Sequence, residues 1–203
     1  MLAILQLGGK IMTGRIFVLI GPSGVGKTTL AEKAQSDGIA DRIITCTTRT
    51  PRPHEIPNRD YYFLTLEEFG NRVDNGEFVE NEWIHGQRYG VLVRELSRAL
   101  ESGRTALISL GYGGAERVKS LWPHNVTIVG ILPPSSDSLR SRLKERGTAA
   151  EEMAFRLRAI DHEAETVKKL ADIFFVNDEL GDAYHRLRQV IAKGPSSHRI
   201  ADH

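Results

Sequence analysis

Apolar residues fall in short, nearly unbroken runs along this chain, separated by stretches where apolar and charged positions recur at helical spacing. Five runs predict buried strands: Arg15–Ile20, Ile43–Thr45, Thr105–Leu110, Val126–Leu132 and Ile173–Val176. Near-continuous apolar runs suit a parallel sheet covered on both faces, because neither side of such a strand can face water cheaply. Around them the spacing predicts helices over 29–34, 94–102, 115–121, 136–146, 151–170 and 178–192. Ser135-Ser136-Asp137 offers oxygens that cap the free N–H groups where the fourth of these begins. Strand and helix in alternation predict an α/β fold, a doubly wound parallel sheet flanked by helices.

One stretch breaks the alternation. Residues 47–90 are rich in Arg, Pro, aromatic and Glu residues, and predict the strand-like pieces Tyr61–Leu64 and Phe78–Ile84 around a short helix near 66–75. This reads as a small mixed insert standing off the main sheet. With 203 residues and 40% hydrophobic content, the chain can bury one core carrying such an insertion. The expected layout is an extension over 1–14, a domain over 15–193 whose core is 15–46 and 91–193, and a polar tail over 194–203.

Charge and cysteine content narrow the setting. A formal charge of +1 carries no global signal for nucleic acid. No apolar run is long enough to span a bilayer, and Met1–Ile11 lacks the charged-then-apolar layout of a secretion signal. Cys46 is the sole cysteine, so no intramolecular disulfide can form, which fits a reducing, cytoplasmic setting. The expectation is a monomer or homodimer acting on small molecules, with no nucleic-acid or membrane partner.

The chemistry begins at residues 21–28, Gly-Pro-Ser-Gly-Val-Gly-Lys-Thr, which fit G-x-x-x-x-G-K-[ST] between a predicted strand and a predicted helix. Gly21, Gly24 and Gly26 lack a Cβ, so the backbone can take positive φ and approach a phosphate. The backbone groups of Gly21, Ser23, Gly24, Val25, Gly26, Lys27, Thr28 and Thr29 then cradle the anion at a helix N-terminus, where the helix dipole favours it. Lys27 brings a movable positive charge to the outer phosphates, and Thr28 a hydroxyl for Mg²⁺. The predicted donor is therefore ATP with Mg²⁺.

The insert carries a resemblance. Thr47-Thr-Arg-Thr-Pro-Arg-Pro53, Arg59-Asp-Tyr-Tyr-Phe63, Asn75-Gly-Glu-Phe-Val-Glu80 and Gly86-Gln-Arg-Tyr-Gly90 closely resemble the nucleoside-monophosphate-binding region of guanylate kinases. Ile131-Leu-Pro-Pro-Ser135, Arg142-Leu-Lys-Glu-Arg-Gly147 and Val176-Asn-Asp178 resemble later landmarks of that family, so the likeness runs over roughly 15–192. It implies an ATP-dependent phosphotransferase that converts GMP to GDP. Carried over by position, Arg49, Arg52, Tyr61 and Tyr89 would hold the acceptor phosphate, Thr45 would lie near the acceptor base, and Glu80 would pair with guanine N1–H and N2–H. The resemblance also implies a lid over about 140–158, in which Arg142, Arg146 and Arg156, or Arg158 in place of the last, act with Lys27 on the transferring phosphoryl group. Asn177 would frame the adenine.

Three positions depart from the family pattern. Val91 stands where a Ser or Thr usually bonds the guanine O6, and Ser109 and Gly111 replace the two carboxylates of an Asp-x-Asp motif. Thr28 is then the one obvious protein ligand for Mg²⁺, which ordinarily keeps several waters and takes oxygens from substrate phosphates. These departures leave two further readings open: an enzyme similar to ribose 1,5-bisphosphate kinases, which also carry Tyr-Gly-Val here, and a non-catalytic guanylate-kinase-like binding module.

Overall fold

The computed structural model describes residues 12–194 except 54, 85 and 146–149, with the backbone alone at 150, 152, 155, 156 and 159. Five parallel strands form the main sheet: β1 Arg15–Ile20, β2 Asp41–Arg42, β7 Thr105–Ser109, β8 Val126–Leu132 and β9 Ile173–Val176, in the order β2-β7-β1-β8-β9. β1 lies at the centre, and its side chains from Ile16 to Ile20 are buried. Alternate residues of a strand face opposite sides, so Ile16, Val18 and Ile20 enter one core while Phe17 and Leu19 enter the other. Helices α3 Val93–Glu101 and α4 Tyr112–Leu121, with the end of α6 Ala150–Leu170, cover the first core. Helices α1 Lys27–Ser36 and α7 Leu180–Lys193 cover the second. Burial on both faces is why these strands read as unbroken apolar runs.

The predicted strand 43–45 is divided between two sheets. β2 ends at Arg42, the Ile43 N–H still donates to Leu107 O at 2.9 Å, and the chain then leaves the main sheet. It enters a second, four-stranded sheet as β3 Thr45–Thr47. Competing cores explain the split: Ile43 packs into the first core, whereas Cys46 packs into a third with Phe69 and Leu92.

That second sheet is the body of the insert. It adds β4 Tyr61–Phe63, β5 Phe78–Ile84 and β6 Gln87–Leu92, in the order β4-β3-β6-β5. It takes in Thr45–Cys46 and Val91–Leu92, two residues beyond each end of 47–90. Helix α2 Leu66–Asp74 packs beneath it. Thr65 and Glu68 close a reciprocal cap at the α2 N-terminus, and Phe69 stacks on Phe78 with ring centroids 4.5 Å apart. Gly90 permits that packing, since a Cβ there would stand 2.7 Å from Phe78 and 3.0 Å from Phe69. α4 starts at Tyr112 rather than at 115, so the Gly113-Gly114 pair forms its first turn.

Candidate active site

The loop between β1 and α1 takes the backbone shape that its glycines permit. Gly21, Gly24 and Gly26 have φ of 142°, 90° and 99°, a region costly for residues with a Cβ. α1 begins at Lys27, with no side chain capping its N-terminus and no acidic residue in its first turn. Its free N–H groups and the dipole thus present a positive end to an anion. The Lys27 ammonium donates to Gly21 O at 2.6 Å and Pro22 O at 2.9 Å, which lays it along the loop. Val25 is fully buried and anchors the loop, while Ser23, Thr28 and Thr29 are exposed at its mouth.

Asn177 supports this loop from below. It is 3% exposed, and its Nδ2 donates to Val25 O at 2.7 Å. A Cβ on Gly26 would collide with that same Nδ2, so the third loop glycine is also required by close approach. Asn177 therefore sits under the phosphate loop. Next to it, Arg142 on α5 Ser136–Glu145 donates to Asp178 O at 2.7 Å, tying that helix to the chain just past β9. Arg146 lies outside the described residues; Arg156 lies on α6 but its side chain is not described. Arg158 is exposed and donates to Ala154 O at 3.3 Å.

Across from the loop, strand register gathers the predicted acceptor residues. Thr45 pairs with Tyr61, Thr47 with Tyr89, Tyr89 with Glu82 and Val91 with Glu80. Residues directly opposite in a ladder share a face, as do residues two apart on one strand. Thr45, Tyr61, Tyr89, Glu80 and Glu82 thus line one face of the second sheet. A cleft lined by Thr28, Arg42, Thr45, Tyr61 and Ser109 joins this face to the loop.

Arg49 lies over Tyr61 at 5.5 Å from the ring centre, and Tyr61 meets Tyr89 edge to face at 6.3 Å. Its guanidinium donates to Glu55 Oε1 at 2.8 Å. Burial opposes its charge, but the Glu55 and Tyr89 side chains beside it more than compensate and hold its pKa above the ordinary value. Burial likewise works on Glu55, yet Arg49 and the Arg52 backbone N–H outweigh it and lower its pKa. Arg52 is not gathered with the others: its side chain is 64% exposed and only 3.9 Å from Glu55. Burial raises the Tyr61 phenol, so it stays protonated as a hydrogen-bond donor.

Glu80 and Glu82 form the other end of this face. Burial, and then the neighbouring Glu82 charge, push the Glu80 carboxyl up to about 7; burial raises Glu82 as well. Among the described residues neither accepts a hydrogen bond or pairs with a cation. Both reach the start of α4, where a Cβ on Gly111 would stand 2.6 Å from Glu82 Oε1 and one on Gly114 2.7 Å from Glu80 Oε1. The glycine segment thus makes room for the two carboxylates. Val91, by contrast, is 1% exposed and packs in the first core, so its departure from Ser or Thr is filled by apolar contact.

Sequence reasoning missed Arg42, Glu55 and Glu82. Arg42 reaches Asp60 Oδ1 at 3.3 Å and borders the cleft, but no motif surrounds it. Glu55 acts through a loop contact that only folding creates. Glu82 had a usable signal, since it lies two residues from Glu80 on a predicted strand and must share its face.

The residues present fit a nucleoside triphosphate and a metal ion: three loop glycines in the left-handed region, a free helix N-terminus, Lys27, and the Thr28 hydroxyl in the cleft. Among the described residues there is no cluster of three His, Cys, Asp or Glu that would hold a metal alone, which suits an ion carried on phosphate oxygens.

Known proteins share this architecture. A family model described as guanylate kinase matches residues 13–194. The chain is 37% identical to a guanylate kinase of Anaeromyxobacter dehalogenans, over 89% of this chain and 80% of that one. It is 35% identical to a guanylate kinase of Thermotoga maritima, over 89% and 87% of the two chains. The crystal structure of guanylate kinase from Anaplasma phagocytophilum superposes with a TM-score of 0.74 at 27% identity, covering 93% of this chain and 89% of that one. With the glycine loop, the face across from it and these matches together, the chain belongs to the guanylate kinase family.

Proposed function

We propose that the chain transfers the γ-phosphoryl group of ATP to GMP, giving ADP and GDP. The observation that carries this reading is the strand register that puts Thr45, Tyr61, Tyr89 and Glu80 on one face, joined by a cleft to the phosphate loop at Thr28. The backbone of 21–29 and Lys27 hold the triphosphate. Arg49, Tyr61 and Tyr89 hold the acceptor phosphate, with Arg52 joining them from its exposed position. Glu80, when ionised, accepts from guanine N1–H and N2–H. Thr45 is the hydroxyl nearest in role to the one lost at Val91. Asn177 fixes the loop at Val25 and would frame the adenine beside it.

The bond between Pγ and the bridging oxygen breaks, and a bond from Pγ to an acceptor phosphate oxygen forms. That oxygen is already anionic, so no general base is needed. Alignment and positive charge carry the catalysis, supplied by Lys27 with Arg142, Arg146 and Arg156 of the lid. Thr28 and the substrate phosphates would hold Mg²⁺, which would supply charge neutralisation.

The test is a coupled ADP-release assay with ATP and Mg²⁺ against GMP, AMP, CMP, UMP and ribose 1,5-bisphosphate. GMP should be the preferred acceptor. Higher kcat/KM on the sugar bisphosphate would replace GMP as the substrate, and absence of turnover on every acceptor would favour a binding module.

A further inference from the structure

We propose that Glu82 is a specificity-determining residue that accepts hydrogen bonds from the ribose hydroxyls of the acceptor nucleotide. The inference rests on the reading of this face as the GMP site.

Position along the strand assigns the group it meets. Tyr89, Arg49 and Tyr61 cluster as the acceptor phosphate grip. The base end is Glu80. Glu82 stands directly opposite Tyr89 in the ladder, while Glu80 stands opposite Val91. Two residues along a strand span about 6.6 Å. Glu82 therefore lies beside Tyr89 of the phosphate grip and one side-chain repeat along the strand from the base reader Glu80, within the span that a sugar bridges between phosphate and base. A carboxylate is an acceptor with two oxygens, and a ribose offers two neighbouring hydroxyl donors, so the chemistry matches.

The space Glu82 occupies is specific to this chain's glycine at 111. A Cβ at that position would stand 2.6 Å from Glu82 Oε1 and 3.0 Å from Oε2, so any side chain at 111 would evict the carboxylate. No described residue donates to it. At the N-terminus of α4, too, no side chain caps the helix, so Glu82 is not spent there as a cap. Burial without a partner raises its pKa, as expected of an acceptor that awaits a donor.

Steady-state kinetics on the full chain with GMP and 2′-deoxy-GMP test this. Wild type should prefer GMP by roughly tenfold in kcat/KM, the scale of one hydrogen bond to a charged group. In Glu82→Ala the preference should fall to near one, through a raised KM for GMP, with little change for deoxy-GMP and none in KM for ATP. Gly111→Ala keeps Glu82 but displaces it, and should collapse the same ratio. Its φ of −67° accepts alanine, so the backbone is unstrained. A GMP preference that survives in either folded variant overturns the proposal. So does an equal loss on both acceptors, which would mean a structural or base-directed role. Wild type that fails to use GMP at all refutes the acceptor reading instead, and is seen before any variant is made.

Discussion

Replacing Glu80 by Gln should stabilise the protein at alkaline pH while crippling GMP use. Burial and the Glu82 charge push the Glu80 carboxyl from 4.5 to about 7. An acid raised in this way binds its proton in the folded state where the unfolded chain has lost it. Stability therefore falls as pH rises between those two values and stays level above them. At about 1.4 kcal/mol per tenfold, the full penalty is about 3 kcal/mol. Glu80 is only half-buried, and solvent screening reduces this to about 1 kcal/mol. Gln is isosteric and neutral, so it removes the penalty. For a domain of this size that amounts to about 2–4 °C in Tm at pH 8.5, shrinking toward zero near pH 4.5. The same change turns an acceptor facing guanine's donors into an amide. Losing hydrogen bonds to a charged group costs about 1.5–3 kcal/mol, or roughly ten- to a hundredfold in kcat/KM for GMP. Thermal melts at the two pH values and GMP kinetics at pH 8.5 are the assays. A Tm gain equal at both pH values, or a loss at pH 8.5, would refute the electrostatic argument. Unchanged GMP kinetics would refute the role in reading the base.

Gly26→Ala should abolish the ATP-induced rise in Tm, because its φ of 99° disfavours a Cβ and that Cβ would strike Asn177; the left-handed conformation alone costs about 1–2 kcal/mol. Arg49→Ala should raise KM for GMP well over tenfold, by loss of a charge-assisted grip worth about 1.5–3 kcal/mol, and Arg52→Ala should raise it less, given its exposed side chain. Steady-state kinetics on both variants would rank them. Cys46 is fully buried and its thiol is pushed up to about 12, mainly by burial. Iodoacetamide at pH 8 should therefore leave the native protein unmodified by mass and label it once denatured.

The main sheet was legible because its strands are buried on both faces. Val126–Leu132 and Ile173–Val176 occupy the predicted residues, since an apolar run between turns has few alternatives. The phosphate loop was legible for another reason: its geometry is local, and its glycine spacing dictates its φ values. The split at Ile43–Thr45 was not legible. Where the Ile43 backbone pairs and which core claims Cys46 depend on Leu107, Phe69 and Leu92, all remote in the chain. β6 was also missed, because Gln87-Arg-Tyr-Gly90 has no apolar pattern and becomes a strand only between β3 and β5.

By itself, the amino-acid order determined the α/β class, the donor loop and the family, because each is written in contiguous residues whose spacing has one physical use. Tertiary structure decided how the candidate acceptor face is assembled. Register aligned Thr45, Tyr61, Tyr89, Glu80 and Glu82 on one face, and Glu55 took hold of Arg49 while Arg52 stayed in solvent. It also turned the apparent loss at Gly111 into room for Glu82. A missing side chain can be read from a sequence; which neighbour fills the space it leaves is settled only when distant strands pair.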